Sequence, residues 1–167
     1  MRLYHGGLEV VEHPRILPSE HIGDFESGFY TTSDISQARR FVVTKCNREN
    51  RLKGIVLIYE APDDLISNGY GLRIRAFRQA DALWAQFVLA NRKRRNFEHD
   101  YDVVAGAVAN DQVYAIFALY ENEFIDLDEL LERLRVRKLT DQILFHSERA
   151  LGLLKFIGSE EVVCQPK

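Results

Sequence analysis

Cysteine is scarce in this chain, and the two that occur, Cys46 and Cys164, lie far apart in the sequence. Neither belongs to the paired spacing that binds zinc or carries out thiol redox chemistry. We therefore expect two ordinary reduced thiols. The histidines outside the first strand also lack a metal-ligand spacing with acidic residues or cysteines, so the sequence predicts no metal site. These histidines are His13, His21, His99 and His146.

Long apolar runs are missing as well. No segment reaches the length of a membrane span, and the first residues lack the apolar stretch of a secretory signal, which predicts a cytoplasmic protein that does not bind a membrane. The net charge of -3 supplies no general attraction to nucleic acid or to an anionic membrane. No repeat or linker divides the chain, so residues 1–167 are expected to form a single domain.

Two common nucleotide-binding motifs are absent from the sequence. No Gly-x-Gly-x-x-Gly follows the first predicted strand, and no Gly-Lys-Ser or Gly-Lys-Thr occurs. Their absence argues against a Rossmann dehydrogenase and against a phosphate-loop nucleotide triphosphatase.

The apolar patterns that are present indicate both strands and helices, and hence an α+β fold. Short runs between turn residues predict strands over 2–5, 28–32, 54–60, 102–108 and 142–145, the third of them central. Helical spacing follows a cap at Ser33, and recurs from Phe77, after Asp126 or Asp128, and around 150–154. Residues 112–116 read as a strand or, because of their alanine, as a helix.

Three separated segments contain candidate functional residues, and the order of the segments along the chain is their most specific feature. They are Leu3-Tyr4-His5-Gly6, then Gly28-Phe29-Tyr30-Thr31-Thr32 with Gln37-Ala38 in the next helix, and Asp141-Gln142-Ile143-Leu144-Phe145. In this order they resemble the signature segments of ADP-ribosyltransferases of the diphtheria-toxin and poly-ADP-ribose-polymerase kind. The resemblance implies a split β-sheet core with flanking helices, and NAD as a substrate without a metal.

The whole chain also resembles a compact bacterial family, labelled a domain of unknown function, that is grouped with these transferases. Members are often encoded beside a small partner protein, which implies an antitoxin-like partner here. The resemblance extends over nearly the full length. It includes Asp24-Phe25, Gly28 to Thr32, Asn91-Arg92, Ala109-Asn110-Asp111, Gln142 with Phe145, and Ala150-Leu151.

The resemblance assigns binding roles around NAD. His5 would bond a ribose hydroxyl, and the backbone of Gly6 would hold the nicotinamide carboxamide. Tyr30 would stack on the nicotinamide, with Thr31 or Thr32 placing a hydroxyl nearby, and Arg92 would support the pocket.

Gln142 departs from the pattern, because a glutamate usually stands in that position. A carboxylate would stabilise the positive charge that develops on the sugar as nicotinamide leaves. Glutamine can hydrogen-bond the ribose but cannot act as a base, which favours transfer of a single ADP-ribose over polymer formation. The adjacent Asp141 should face the other side of the strand, and Glu148 could help only if the chain folds back.

Three hypotheses follow for the function. The first is a toxin-like mono-ADP-ribosyltransferase acting on an unknown intracellular macromolecule, protein or nucleic acid. The second is an NAD-binding pseudoenzyme, or an interaction module, that works through a partner protein. The third is an RNA-binding protein that uses the basic run 91–96, although a solvated helix end explains that run more simply.

Overall fold

Two β-sheets form the framework of the chain. The computed structural model describes residues 1–17, 23–93 and 98–164. One sheet is antiparallel, in the order β1-β3-β7; the other has the order β2-β6-β5-β4, with only β4 and β5 parallel. The strands are β1 (Arg2–Gly7), β2 (Phe29–Thr31), β3 (Lys53–Glu60), β4 (Ile74–Ala76), β5 (Val103–Ala107), β6 (Asp141–Phe145) and β7 (Lys155–Val163).

Helices cover the outer faces of both sheets, so the predicted α+β class is confirmed. Side chains of Asp34, Asn110 and Asp126 accept backbone N–H groups at the starts of three of them. The helices are α1 (Ile35–Arg48), α2 (Leu65–Asn68), α3 (Ala82–Lys93), α4 (Asp111–Glu121), α5 (Leu127–Arg135) and α6 (Glu148–Leu151). Within the described ranges, none of these helices combines the length and the apolar character needed to cross a bilayer.

The apolar core has three parts, set by the alternation of side chains along the strands. Ile143 and Phe145 of β6 face β1 and β3, and their side chains fill the space between the two sheets. Leu144, between them, faces the opposite way and packs with α3, α4 and α5. The third part lies between α1 and the outer face of the three-stranded sheet. A side chain on β2 or β6 therefore points either between the sheets or toward the helices.

Several predicted boundaries were wrong. Gly6 and Gly7 continue β1 and pair with Val56 and Ile55, so the expected turn after His5 does not occur. The cap of α1 is Asp34, one residue after the predicted Ser33.

Two predicted elements differ in type or extent. Residues 112–116 belong to helix α4. The last predicted helix ends at Leu151, and β7 follows it.

The two cysteines are joined in a disulfide, contrary to the expectation of reduced thiols. Their Cα atoms are 6.3 Å apart, although 118 residues separate them in the sequence. Cys46 lies in the last turns of α1, and Cys164 follows the end of β7. The bond therefore fixes the helix to the strand at the edge of its sheet.

Candidate functional site

His5 lies on β1 with its ring between the two sheets. The ring stacks on Phe29 with centroids 4.3 Å apart, and Nδ1 is 2.7 Å from the carbonyl oxygen of Tyr30. Burial lowers the pKa of His5 to about 4, so the ring is neutral near pH 7. Because a carbonyl only accepts, Nδ1 carries the hydrogen and donates it. Nε2 is left with a lone pair that can accept a hydrogen bond.

Tyr30 lies on β2 with its side chain on the opposite face, among the residues that pack with the helices. Its hydroxyl accepts a hydrogen bond from the backbone N–H of Phe25 at 3.0 Å and donates one to the carbonyl of Glu26. Burial raises the pKa of this phenol, so it stays protonated. Tyr30 is thus attached to the turn Gly23–Glu26, which is closed by a backbone bridge between its ends.

Gln142 is the second residue of β6, lies on the same face as Tyr30 and is only 7% exposed. Its side-chain amide donates to Oδ2 of Asp24 at 2.7 Å and to the carbonyl of Ala107 at 3.2 Å. Asp24 therefore places a carboxylate directly against the residue that stands where a glutamate was expected.

The Asp24 carboxylate is held by three donors. Besides Gln142, the backbone N–H of Ala109 donates to Oδ2 at 2.8 Å, and the hydroxyl of Tyr114 donates to Oδ1. Burial raises the pKa of Asp24, while these three hydrogen bonds and the positive charge of Arg92 oppose that shift. The group is a buried acid whose oxygens are occupied by the protein itself.

Arg92, predicted to support the pocket, lies beside this group. Its guanidinium is 3.6 Å from the ring centroid of Tyr114, which is cation–π geometry. Asn91 is buried, not solvated as predicted, and its amide donates to the carbonyl of Phe87 at 3.0 Å. The rest of the predicted basic run, Arg94 to Asn96, lies outside the described residues.

The other predicted cofactor-binding residues make internal contacts. Gly6 faces α1, where an added Cβ would be 2.7 Å from the carbonyl oxygen of Ala38, so only glycine fits there. The hydroxyl of Thr31 donates to the carbonyl of Ile143 at 3.0 Å, and that of Thr32 donates to Asp141 at 3.2 Å. The two threonine hydroxyls therefore connect β2 and the residue after it to β6.

The structure therefore brings two of the three predicted catalytic residues to one place. Tyr30 and Gln142 both contact the turn Gly23–Glu26, whereas the ring of His5 is on the other side of the sheet and reaches Tyr30 only through its backbone. Asp141 faces away from Gln142, as predicted, and bonds Ser33. Glu148 does not reach the site, because it accepts from the backbone of Ile16 at 2.9 Å.

Asp24 and Tyr114 are the residues to which sequence reasoning gave no role. Asp24 was part of the full-length resemblance, which is the one signal that could have drawn attention to it. Tyr114 lay in the segment that was ambiguous between strand and helix. Helix α4, which begins after Asn110, is what directs its hydroxyl at Asp24.

A second polar cluster, unseen in the sequence spacing, lies on the far side of the turn. Ligand atoms of Glu26, His99 and His146 all lie within 4.8 Å of one another. However, Nε2 of His99 bonds the carbonyl of Phe25 at 2.9 Å, and its Nδ1 accepts from the backbone of Tyr101 at 3.2 Å. Of these three residues, Glu26 and His146 remain to bind an ion, fewer ligands than a zinc site uses.

Comparison with known proteins identifies a family. The family model described as "Protein of unknown function (DUF3990)" matches residues 1–156, so the chain belongs to the DUF3990 family. No curated protein and no solved structure matches the chain. The family's description gives no activity, and the function has to be argued from the residues.

Proposed function

We propose that this DUF3990 member is a mono-ADP-ribosyltransferase, a toxin-like effector that moves one ADP-ribose from NAD to an intracellular macromolecule and releases nicotinamide. The observation that carries the proposal is the adjacency of the three strands that bear His5, Tyr30 and Gln142. Tyr4 of β1 forms a bridge with Thr32, the residue after β2, and β2 pairs with β6. The resemblance requires this neighbourhood, and a small antitoxin-like protein remains the proposed partner.

His5 supports the proposal through its fixed tautomer. With Nδ1 donating to the carbonyl of Tyr30, Nε2 can accept the hydrogen of a ribose hydroxyl that enters the space between the sheets, on the opposite face from the side chains of Tyr30 and Gln142. The lowered pKa keeps that lone pair available at neutral pH.

Asp24 supports the proposal because its carboxylate supplies negative charge beside Gln142. Breaking the nicotinamide–ribose bond leaves positive charge on the sugar, and Gln142 has no charge to stabilise it. A carboxylate oxygen of Asp24 lies 2.7 Å from the Gln142 amide and supplies negative charge to the same place. Because its oxygens accept three internal hydrogen bonds, Asp24 acts through its field and not as a base, which fits single transfer.

NAD binding at this place requires an exchange of contacts. The hydroxyl of Tyr30 and the amide of Gln142 both bond the turn Gly23–Glu26. In the proposed complex the nicotinamide ring stacks on Tyr30, and a ribose oxygen accepts the hydrogen bond that the Gln142 amide donates to Asp24 in the structure.

The test follows isotope-labelled NAD in a cell lysate and measures both free nicotinamide and label on macromolecules. Wild-type protein should release nicotinamide and label an acceptor, and Tyr30→Ala and Asp24→Asn should lose most of both. Tyr70→Ala is the matched control, because Tyr70 is exposed and its hydroxyl donates to Asp64, which is also exposed. Equal labelling by all four proteins would defeat the site assignment.

A second candidate is the NAD-binding pseudoenzyme or partner-dependent interaction module. One observation favours it: the polar ends of Tyr30 and Gln142 are already satisfied by the protein's own turn. Such a protein would bind NAD, or its partner protein, without releasing nicotinamide. Any Tyr30-dependent release by the purified chain would exclude it.

A further inference from the structure

A cavity of about 350 Å³ opens between the start of α3 and the end of α5. Its wall includes Ala107, whose carbonyl also accepts from Gln142, so the cavity adjoins the site described above. Its volume is at the lower end of the range for small-molecule pockets. It therefore suits a small ligand or a single residue of a larger one.

The rim of the cavity is strongly cationic in a chain whose net charge is -3. Three of the lining residues are arginines, Arg78, Arg135 and Arg137. Within the described ranges, Arg78 and Arg135 form no ion pair, and Arg137 donates to the neutral amide oxygen of Gln112 at 2.8 Å. Their positive charge is left for a ligand.

One carboxylate, Asp81, also lines the cavity. It accepts the backbone N–H of Trp84 at 3.0 Å and so holds the first turn of α3. The lining keeps a formal excess of two positive charges after Asp81 is counted. An excess of clustered positive charge is unfavourable in the empty protein, and an anion in the cavity would relieve the repulsion between the arginines.

The floor of the cavity is apolar. Leu134 is buried, and Leu131 and Leu139 are partly buried against the core. A flat ring placed over these leucines would remove apolar surface from water. An anion alone would leave that surface exposed.

We propose that this cavity binds a nucleoside phosphate, with the base over the leucine floor and the phosphate on the arginines. Arginine forks match phosphate oxygens in paired hydrogen bonds, which a lysine rim would not provide. The small volume selects a free mononucleotide over a nucleic-acid strand. The inference is independent of the proposed transferase chemistry, because it requires neither NAD nor turnover.

The experiment titrates the full chain by calorimetry with AMP, inorganic phosphate and adenosine. AMP should bind at least tenfold more tightly than either of the others, because only AMP uses both the rim and the floor. Arg135→Gln and Arg78→Gln should each weaken AMP about tenfold through lost charge-assisted bonds. Leu131→Ala should weaken AMP and adenosine while leaving phosphate unchanged.

Arg133→Gln is the matched control, since Arg133 is on the same helix and pairs with Glu129 outside the cavity. It should bind AMP like the wild type. Arg78 and Arg135 are both exposed, so their variants should unfold at the wild-type temperature. The proposal is overturned if AMP does not bind, if phosphate binds as tightly as AMP, or if Arg78→Gln and Arg135→Gln bind AMP like Arg133→Gln.

Discussion

The side-chain amide of Gln142 donates to the carboxylate of Asp24 across 2.7 Å in a buried part of the molecule. An amide at position 142 is what this neighbour requires, because a second carboxylate would meet the first without a donor between them. The departure from the expected glutamate therefore has a local cause.

Replacing Gln142 by glutamate should destabilise the fold, by about 3 kcal/mol at pH 8, because two buried carboxylates then face each other. The pair shares a proton in the folded state, so its folded pKa lies above the unfolded value of about 4.3. Stability is then retained below the unfolded pKa and lost as the pH rises through the folded one. Denaturant unfolding of wild type and variant from pH 4.5 to 8 measures the difference.

The double variant Asp24→Asn with Gln142→Glu separates charge repulsion from poor packing. It restores one acid and one amide, so the added pH dependence should disappear. If Gln142→Glu lowers the free energy of unfolding equally at pH 4.5 and pH 8, the argument from charge repulsion is contradicted.

Asp24→Ala should lower the free energy of unfolding more than the removal of a surface carboxylate does. It leaves the Ala109 N–H and the Tyr114 hydroxyl without their acceptor and removes one of the two acceptors of the Gln142 amide, a loss of about 3 kcal/mol in the free energy of unfolding. Asp126→Ala is the control, since Asp126 caps α5 at the surface and should cost about 1 kcal/mol. Equal losses in the two variants would show that the buried network contributes little.

The strands that sequence analysis placed correctly are those whose pattern is local. β3 is a nearly continuous apolar run, and β6, which extends one residue before the predicted 142–145, has four buried residues. β7 has no fully buried residue and carries glutamates on an edge of its sheet, so its composition gave no strand signal.

The site was only partly predictable for a related reason. Tyr30 and Gln142 could be found from their order in the chain, but Asp24 meets Gln142 across 118 residues. Such a contact depends on how the turn Gly23–Glu26 lies over the sheet, which no local pattern encodes. The sequence also could not predict which side of the sheet the His5 ring faces, because that side depends on how the two sheets pack against each other.

His5 should make the fold sensitive to mild acid. Its folded pKa of about 4 lies below the unfolded value of 6.5, so the unfolded chain takes up a proton first as the pH falls. Stability is lost between about pH 6.5 and 4, and the integrated loss is about 3 kcal/mol. His5→Gln should remove that share of the pH dependence, as seen in paired unfolding curves at pH 7 and pH 4.

His13→Gln provides the comparison, because His13 is exposed and lies outside the sheets. Its curves should keep the wild-type dependence on pH. If His5→Gln keeps it too, then the ring of His5 is not held neutral by burial.

Reduction should destabilise the protein, since the Cys46–Cys164 bond closes a loop over 118 residues. Cross-linking such a loop restricts the unfolded chain by about 4 to 5 kcal/mol, and its loss lowers the unfolding temperature. A disulfide persists in oxidising compartments, whereas a cytosol that reduces it would leave the chain with the lower stability. Thermal unfolding with and without dithiothreitol measures the effect.

The double variant Cys46→Ser with Cys164→Ser supplies the control for that measurement. It should unfold near the temperature of the reduced wild type and show no response to dithiothreitol. Alkylation of the untreated protein should label neither cysteine, and mass spectrometry would show two labels after reduction. If reduction exposes two thiols but the unfolding temperature does not change, then helix α1 and strand β7 are held together by the apolar packing around Val42 and Val56 and not by the disulfide.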